Sequence, residues 1–222
     1  MKPFLTILSL CSFLILGMYS LPIAQNSVEG KLIIQDCPSK IKKGTGYNKD
    51  GTEVMHSDDP MGHPNRNVIV SLHPLTFEPT LTPTRNATIT QREQTFLPKV
   101  LPVTKGSKVY FLNEDEFFHN VQSLTPKAKF SIGRRAPGIS YSQKVNKVGV
   151  VHLMCDIHSH MNAVILSLDT PYFTRVAEDG SFRIDNLPDG KYRIEIFHPN
   201  CSKIMDTIEV EGGKTHTYRP RP

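Results

Sequence analysis

The chain has 222 residues, 38% of them hydrophobic, with 26 basic and 21 acidic side chains and a formal net charge of +5. That length and apolar share suit a globular protein of one or two domains and exclude a disordered or fibrous chain. The positive excess is too small for a nucleic-acid-binding surface. No paired-carboxylate site, nucleophile–base pair or phosphate loop stands out, so the residues point away from an enzyme.

Lys2 is the only charge before Glu29, and an apolar run over 4–23 follows it, the pattern of a signal peptide over 1–24. The run is also long enough to act as an uncleaved membrane anchor, and no second apolar run of that kind follows. A periplasmic or secreted location is expected. Cleavage removes Lys2 and Cys11 and leaves Cys37, Cys155 and Cys201. In an oxidising compartment a structural disulfide uses two of the three, and the odd thiol needs a reason to stay reduced. Metal ligation supplies one.

Beyond the leader, short β-type runs separated by turn residues dominate, and no segment keeps a helical period. Strands are expected over 28–35, 67–73, 87–91, 99–102, 108–113, 138–144, 148–154, 161–168, 173–177, 181–184, 191–197, 206–210 and 214–218. Turns fall at Lys105-Gly106, Asp179-Gly180, Asp189-Gly190 and Gly212-Gly213. The polar stretch 42–67, with Gly44, Gly46, Gly51, Pro60, Gly62 and Pro64, reads as a long surface loop. Within it, Met55-His56 and Met61-Gly62-His63 read as solvent-facing residues, with capture of a soft metal ion as the alternative.

One cluster carries chemistry. Cys155, His158 and Met161 follow a strand at a C-x2-H-x2-M spacing, and His119-Asn120-Val121 follows the apolar strand that begins at Val109. A soft thiolate, imidazole and a weak thioether suit copper, because together they hold both Cu(I) and Cu(II). The strand ending at Cys155 fixes the sulfur, and a tight loop brings His158 and Met161 back towards it. His160, directly before Met161, is the alternative fourth ligand. A zinc site through His152, Cys155, His158 and His160 is disfavoured, because His152 lies three residues before Cys155 on one strand and points to the opposite face.

These residues carry two resemblances. The segment 96–113 followed by His119-Asn120-Val121, with the short loop from Cys155 to Met161, resembles the cupredoxins, in particular plastocyanin and amicyanin. This likeness covers residues 86–168. The chain as a whole resembles bacterial methylamine-utilisation-like proteins, in which the run Cys155-Asp156-Ile157-His158-Ser159-His160-Met161 recurs. Residues 175–194, with Asp179-Gly180 and then Leu187-Pro188-Asp189-Gly190-Lys191-Tyr192, resemble the carboxypeptidase regulatory-like (prealbumin-like) domain. That domain begins with strands like 28–34 and 67–72, which lie on the far side of the metal-type segment.

The resemblances imply an all-β protein: a cupredoxin Greek-key sandwich over 86–168, and a small Ig-like or prealbumin-like β-sandwich built from 28–80 with 169–222. They imply one copper ion, with His119, Cys155 and His158 as the trigonal plane, Met161 as the axial contact, and the Asn120 side chain tying the ligand loops together. The function implied is an exported type 1 (blue) copper protein acting as a one-electron carrier. The alternatives are a copper carrier or storage protein and a non-redox structural or ligand-binding protein. If strands 28–35 and 191–197 share one sandwich, Cys37 and Cys201 lie at the same end and form a disulfide. Between Glu116 and Asp156 there is no acidic residue, while Lys127, Lys129, Arg134, Arg135, Lys144 and Lys147 fall there. That stretch reads as a solvated face or as a docking patch for a redox partner with an acidic surface.

Overall fold

Alternation along single strands shows which way each sheet faces. In β8 (Lys108–Asn113) Val109, Phe111 and Asn113 are buried while Lys108 and Tyr110 are exposed, as a pleated strand with one wet face requires. The computed structural model describes residues 25–32, 45–47, 53–55 and 64–220, and among them the protein is all-β apart from one turn of 3-10 helix at Pro64–Asn67.

Two sandwiches account for most of the strands. In the central one, β5 (Thr88–Arg92), β6 (Thr95–Leu97), β8 and β11 (Ser140–Lys144) form a four-stranded sheet in the order β11-β8-β5-β6. Across from it lie β7 (Val100–Thr104), β9 (Gln122–Ser123), β10 (Phe130–Ser131), β12 (Gly149–Met154) and β13 (Asn162–Leu168), in the order β10-β9-β12-β13-β7. Ile89, Phe96, Val109 and Phe111 of the first sheet and Val103, Val151, Leu153 and Ile165 of the second fill the core between them.

The second sandwich takes strands from both ends of the chain. β1 (Asn26–Lys31) pairs antiparallel with β15 (Ser181–Leu187) and parallel with β18 (Thr215–Tyr218). β4 (Ile69–Pro74) pairs antiparallel with β14 (Phe173–Arg175) and with β16 (Gly190–Phe197), whose other edge carries β17 (Ile204–Val210). Val28, Val70, Leu72, Phe182, Tyr192, Ile194 and Tyr218 fill this core. Gly30 on β1 is obligatory there. A Cβ at that position would lie 2.6 Å from the Tyr218 carbonyl oxygen and 2.7 Å from the Phe182 ring.

A third cluster joins the two. Val100, Leu166 and Leu168 of the central sandwich pack with Ile69 and the half-buried Phe173 and Phe197 of the other. β13 is therefore buried on both faces, with Ala163 and Ile165 pointing into one core and Leu166 and Leu168 into the other cluster. Its nearly unbroken apolar run, Ala163 to Leu168, is the signature of that position.

The stretch expected to be one long loop differs from that reading. β2 (Thr45–Tyr47) and β3 (Glu53–Met55) pair antiparallel within it. Thr45, Tyr47 and Val54 favour a pleated backbone, and the surrounding polar residues mask that preference. His56, Met61 and His63 lie outside the described residues. The expected strand over 28–35 begins earlier, at Asn26, and residues 33–35 fall outside the described part.

Candidate metal centre

Asn113, the last residue of β8, organises the loop that carries His119. Its side-chain amide donates to the carbonyls of Phe117 (2.8 Å) and Arg135 (3.0 Å), and its Oδ1 accepts the Asp115 amide (3.1 Å). His119 is then held by its own backbone. Its N–H donates to the Arg135 carbonyl at 3.2 Å and its carbonyl accepts from the Arg135 amide at 2.7 Å. The side chain is fully buried.

The second loop leaves β12 at Cys155 and returns into β13 after Met161. The Met161 amide donates to the His158 carbonyl at 3.0 Å, and the Cys155 amide donates to the Met161 carbonyl at 3.3 Å. These bonds close a turn of only seven residues, Cys155 to Met161. The turn aims His158 back towards His119, with Nδ1 to Nδ1 at 3.1 Å. One donor atom each from His119, Cys155 and His158 lie within 4.8 Å of one another. Met161 has no exposed surface and belongs to the same apolar cluster as Cys155.

Three electrostatic shifts follow from the packing. Burial pushes the Cys155 thiol up, but hydrogen bonds from His119 and from the backbone amides of Asn120, His158 and Ile157 outweigh it, so the thiolate is favoured. Burial likewise pushes His119 down, yet its hydrogen bonds to Cys155 and Asp115 leave it raised. His158 is lowered by burial and by the charge of His119. A sulfur held towards its thiolate beside two imidazoles is a donor set for a soft or borderline transition metal.

One aromatic ring lies against both histidines. The Phe117 ring lies 5.1 Å from the His119 ring and 5.5 Å from the His158 ring. Phe117, Phe118 and Ile157 are themselves exposed, and His158 is half-buried, so one imidazole edge approaches the surface among apolar side chains.

The other residues singled out in the sequence fall as follows. His160 is half-buried with its ring 6.1 Å from that of His158, and it is not part of the donor cluster. His152 is exposed on the outer face of β12, away from Cys155. The Asn120 side chain does not join the ligand loops. It exchanges hydrogen bonds with the Ser131 hydroxyl (3.1 and 3.2 Å) in β10, and the link to the sulfur is made by its backbone amide instead. The pairing of β9 with β10 places Ser131 within reach and draws the side chain away. Cys155 is the free cysteine among the described residues, and Cys201 is disulfide-bonded. Cys37 lies outside the described residues. Lys127, Lys129, Arg134 and Lys144 of the basic stretch are exposed, whereas Arg135 lies over the Tyr141 ring at 4.8 Å.

Asp115 is the residue that the sequence conceals. It accepts from His119 Nε2 at 2.6 Å with only 8% of its side chain exposed. In the chain it is the middle of an acidic run, Glu114-Asp115-Glu116, which reads as solvated loop. The available signal is its position four residues before a candidate ligand histidine.

Known proteins match parts of this chain. A family described as polysaccharide lyase family 4, domain II, matches residues 143–218. No curated protein matches. Among solved structures, the chain is similar to a purple cupredoxin from Nitrosopumilus maritimus at 20% identity, over 37% of this chain and 100% of that one, with a TM-score of 0.35. It is similar to the reduced Cu(I) form of an amicyanin mutant at 16% identity, over 45% of this chain and 98% of that one, with a TM-score of 0.36. A copper-containing nitrite reductase from Thermus scotoductus SA-01 matches at 23% identity, over 43% of this chain and 25% of that one, with a TM-score of 0.36.

Proposed function

We propose that the protein is an exported one-electron carrier, rather than an enzyme, whose single copper ion is held by His119, Cys155, His158 and Met161. The observation that carries this reading is the meeting of two loops that are distant in sequence. His119 Nδ1 and His158 Nδ1 approach to 3.1 Å, with the Cys155 sulfur in the same cluster. The residues fit the metal. One buried thiol kept out of disulfide chemistry and two imidazoles are the donors a blue-copper site uses, with a thioether as the weak fourth.

Copper, when bound, supplies a Cu(II)/Cu(I) couple. The protein's part is to hold the donors still. Backbone bonds fix His119 on both sides, amides aimed at the sulfur fix Cys155, and the closed turn to Met161 fixes His158. The Phe117 ring keeps water off the cluster and leaves the His158 edge as the way in and out for the electron. The exposed Lys127, Lys129 and Arg134 then orient a partner of acidic surface.

In this reading residues 86–168 form a cupredoxin domain inserted into a prealbumin-like domain made of 28–80 and 169–222. Residues 1–24 direct export to the periplasm or beyond. Among the described residues no helix is long and apolar enough to cross a membrane. Visible and EPR spectra after addition of stoichiometric Cu(II) test the proposal. An intense sulfur-to-copper absorption that bleaches reversibly on reduction is expected. Transferable Cu(I) without colour would replace the carrier of electrons with a carrier of copper, and no uptake of copper would overturn both.

A further inference from the structure

Asp115 sits where three separate parts of the central sandwich meet. Its Oδ1 accepts the Glu93 amide at 2.6 Å, and its Oδ2 accepts both the Gln94 amide at 3.0 Å and His119 Nε2 at 2.6 Å. Glu93 and Gln94 are the two residues of the turn between β5 and β6. Their φ values are +51° and +54°, and the flanking pair is Arg92 with Thr95. That conformation turns both amides inward to one point, and Asp115 occupies it. Outside the same turn, Arg92 Nε donates to Glu114 Oε2 at 2.7 Å. The carboxylate is therefore fixed by a hairpin, and it in turn fixes the imidazole.

We propose that Asp115 is a positioning residue that locks His119 in its Nε2–H tautomer and clamps the ring to the β5–β6 turn, so that Nδ1 is presented to the metal. The proposal rests on the copper reading only for its purpose, not for its geometry.

The chemistry follows from proton placement. Asp115 Oδ2, which also accepts the Gln94 amide, lies 2.6 Å from His119 Nε2, so the shared proton resides on Nε2, and an imidazole protonated only there keeps its lone pair on Nδ1. Nδ1 is the atom that faces His158 Nδ1 at 3.1 Å. The opposite tautomer would put a proton into the donor cluster and leave the Asp115 carboxylate without its partner. Charge-assisted bonds of this kind are short and strong, and this one is shielded from water on both sides. A negative charge bonded to one ligand also favours the more highly charged oxidation state. The structure thus couples the hairpin tip, some distance along the chain, to the orientation of a ligand and to the potential.

Long-range proton–nitrogen NMR of the full-length chain, metal-free and loaded with Cu(I), reads the His119 tautomer directly. The wild type is expected to show Nε2–H in both states. Asp115→Asn offers one acceptor where three donors converge, and is expected to admit the Nδ1–H form. It should also weaken copper binding by about 10–100-fold and raise the potential, with Asp115→Glu recovering most of each loss. An Nδ1–H tautomer in metal-free wild type overturns the proposal without any variant, even if Asp115→Asn fails to fold. Wild-type copper affinity and potential in a folded Asp115→Asn also overturn it. A wild type that takes up no copper removes the copper reading, and the tautomer of metal-free His119 still decides the role given to Asp115.

Discussion

The two sandwiches treat their polar groups in opposite ways. On the outer face of β4 and β16 the second sandwich carries Ser71, His73, Arg193 and Glu195, side by side across the strand pair. There His73 Nδ1 meets Asp169 at 2.8 Å, and the Glu195 carboxylate takes Arg193 at 2.8 Å and Lys203 at 2.7 Å. Each of these donors meets an acceptor, and opposite charges cancel. At the end of the central sandwich, two imidazole nitrogens and a sulfur point at one another instead of at counter-charges. The carboxylate bonded to that cluster, Asp115, is on the far side of His119. Mutual cancellation holds elements together, whereas convergence of lone pairs leaves a place for a cation. That contrast separates a scaffold from a site, and exposure follows it: Asp169, Arg193 and Lys203 are about half exposed, whereas His119 and Cys155 are buried.

The largest expected effect comes from Cys155→Ser in the central sandwich. A hydroxyl cannot supply a soft, electron-donating sulfur, so the absorption of the copper-loaded chain should vanish entirely, as a visible spectrum would record. Ile194→Ala is the complementary change in the other core. Removal of a fully buried isoleucine should cost about 2–5 kcal/mol in urea unfolding while the copper spectrum stays as in wild type. A changed spectrum would mean that the two sandwiches do not divide scaffold from site.

Met161→Leu and His160→Ala sharpen the site itself. The first should keep the colour and move the potential, because a weak axial thioether tunes the couple without setting the colour. The second should change neither, since His160 stands outside the donor cluster. A potential that moves with His160 and ignores Met161, measured by voltammetry, would reverse the axial assignment.

A smaller effect belongs to the paired charges. Burial pushes the Glu195 carboxyl up, but hydrogen bonds from Lys203 and Arg193 and the charge of His73 outweigh it and hold it below its usual range. A depressed carboxyl stabilises the fold above its unfolded pKa of about 4.3. That contribution is lost as the pH falls through the lower, folded value. Urea midpoints measured from neutral to acid pH should therefore decline less steeply in Glu195→Gln. An identical acid limb would show that the network contributes nothing. Smallest of all, Arg134→Glu should slow reduction by an anionic reagent such as ferrocyanide and weaken the salt dependence of that rate. Arg134 is two-thirds exposed and only 3.8 Å from Asp156 at best, so the stability of the fold should not change.

Much of this molecule is local and therefore readable along the chain. Alternation marks β8 and β16, where each residue reports its own face, and a nearly unbroken apolar run marks β13. Thiol, imidazole and thioether fall within the seven residues from Cys155 to Met161, so one tight turn is enough to gather them. The short strands β6, β9 and β10 escaped that reading, because two or three residues give no period to detect and their pairing depends on neighbours far along the chain. The same reason hid Asp115. Its acidic neighbours and its loop setting say solvent, and only the fold brings the Glu93–Gln94 turn and the His119 ring to its two oxygens. Composition and spacing determine which chemical groups are present and how the strands alternate. The tertiary structure decides which lone pairs meet, because a hydrogen bond needs placement within a fraction of an ångström that no pattern along the chain encodes.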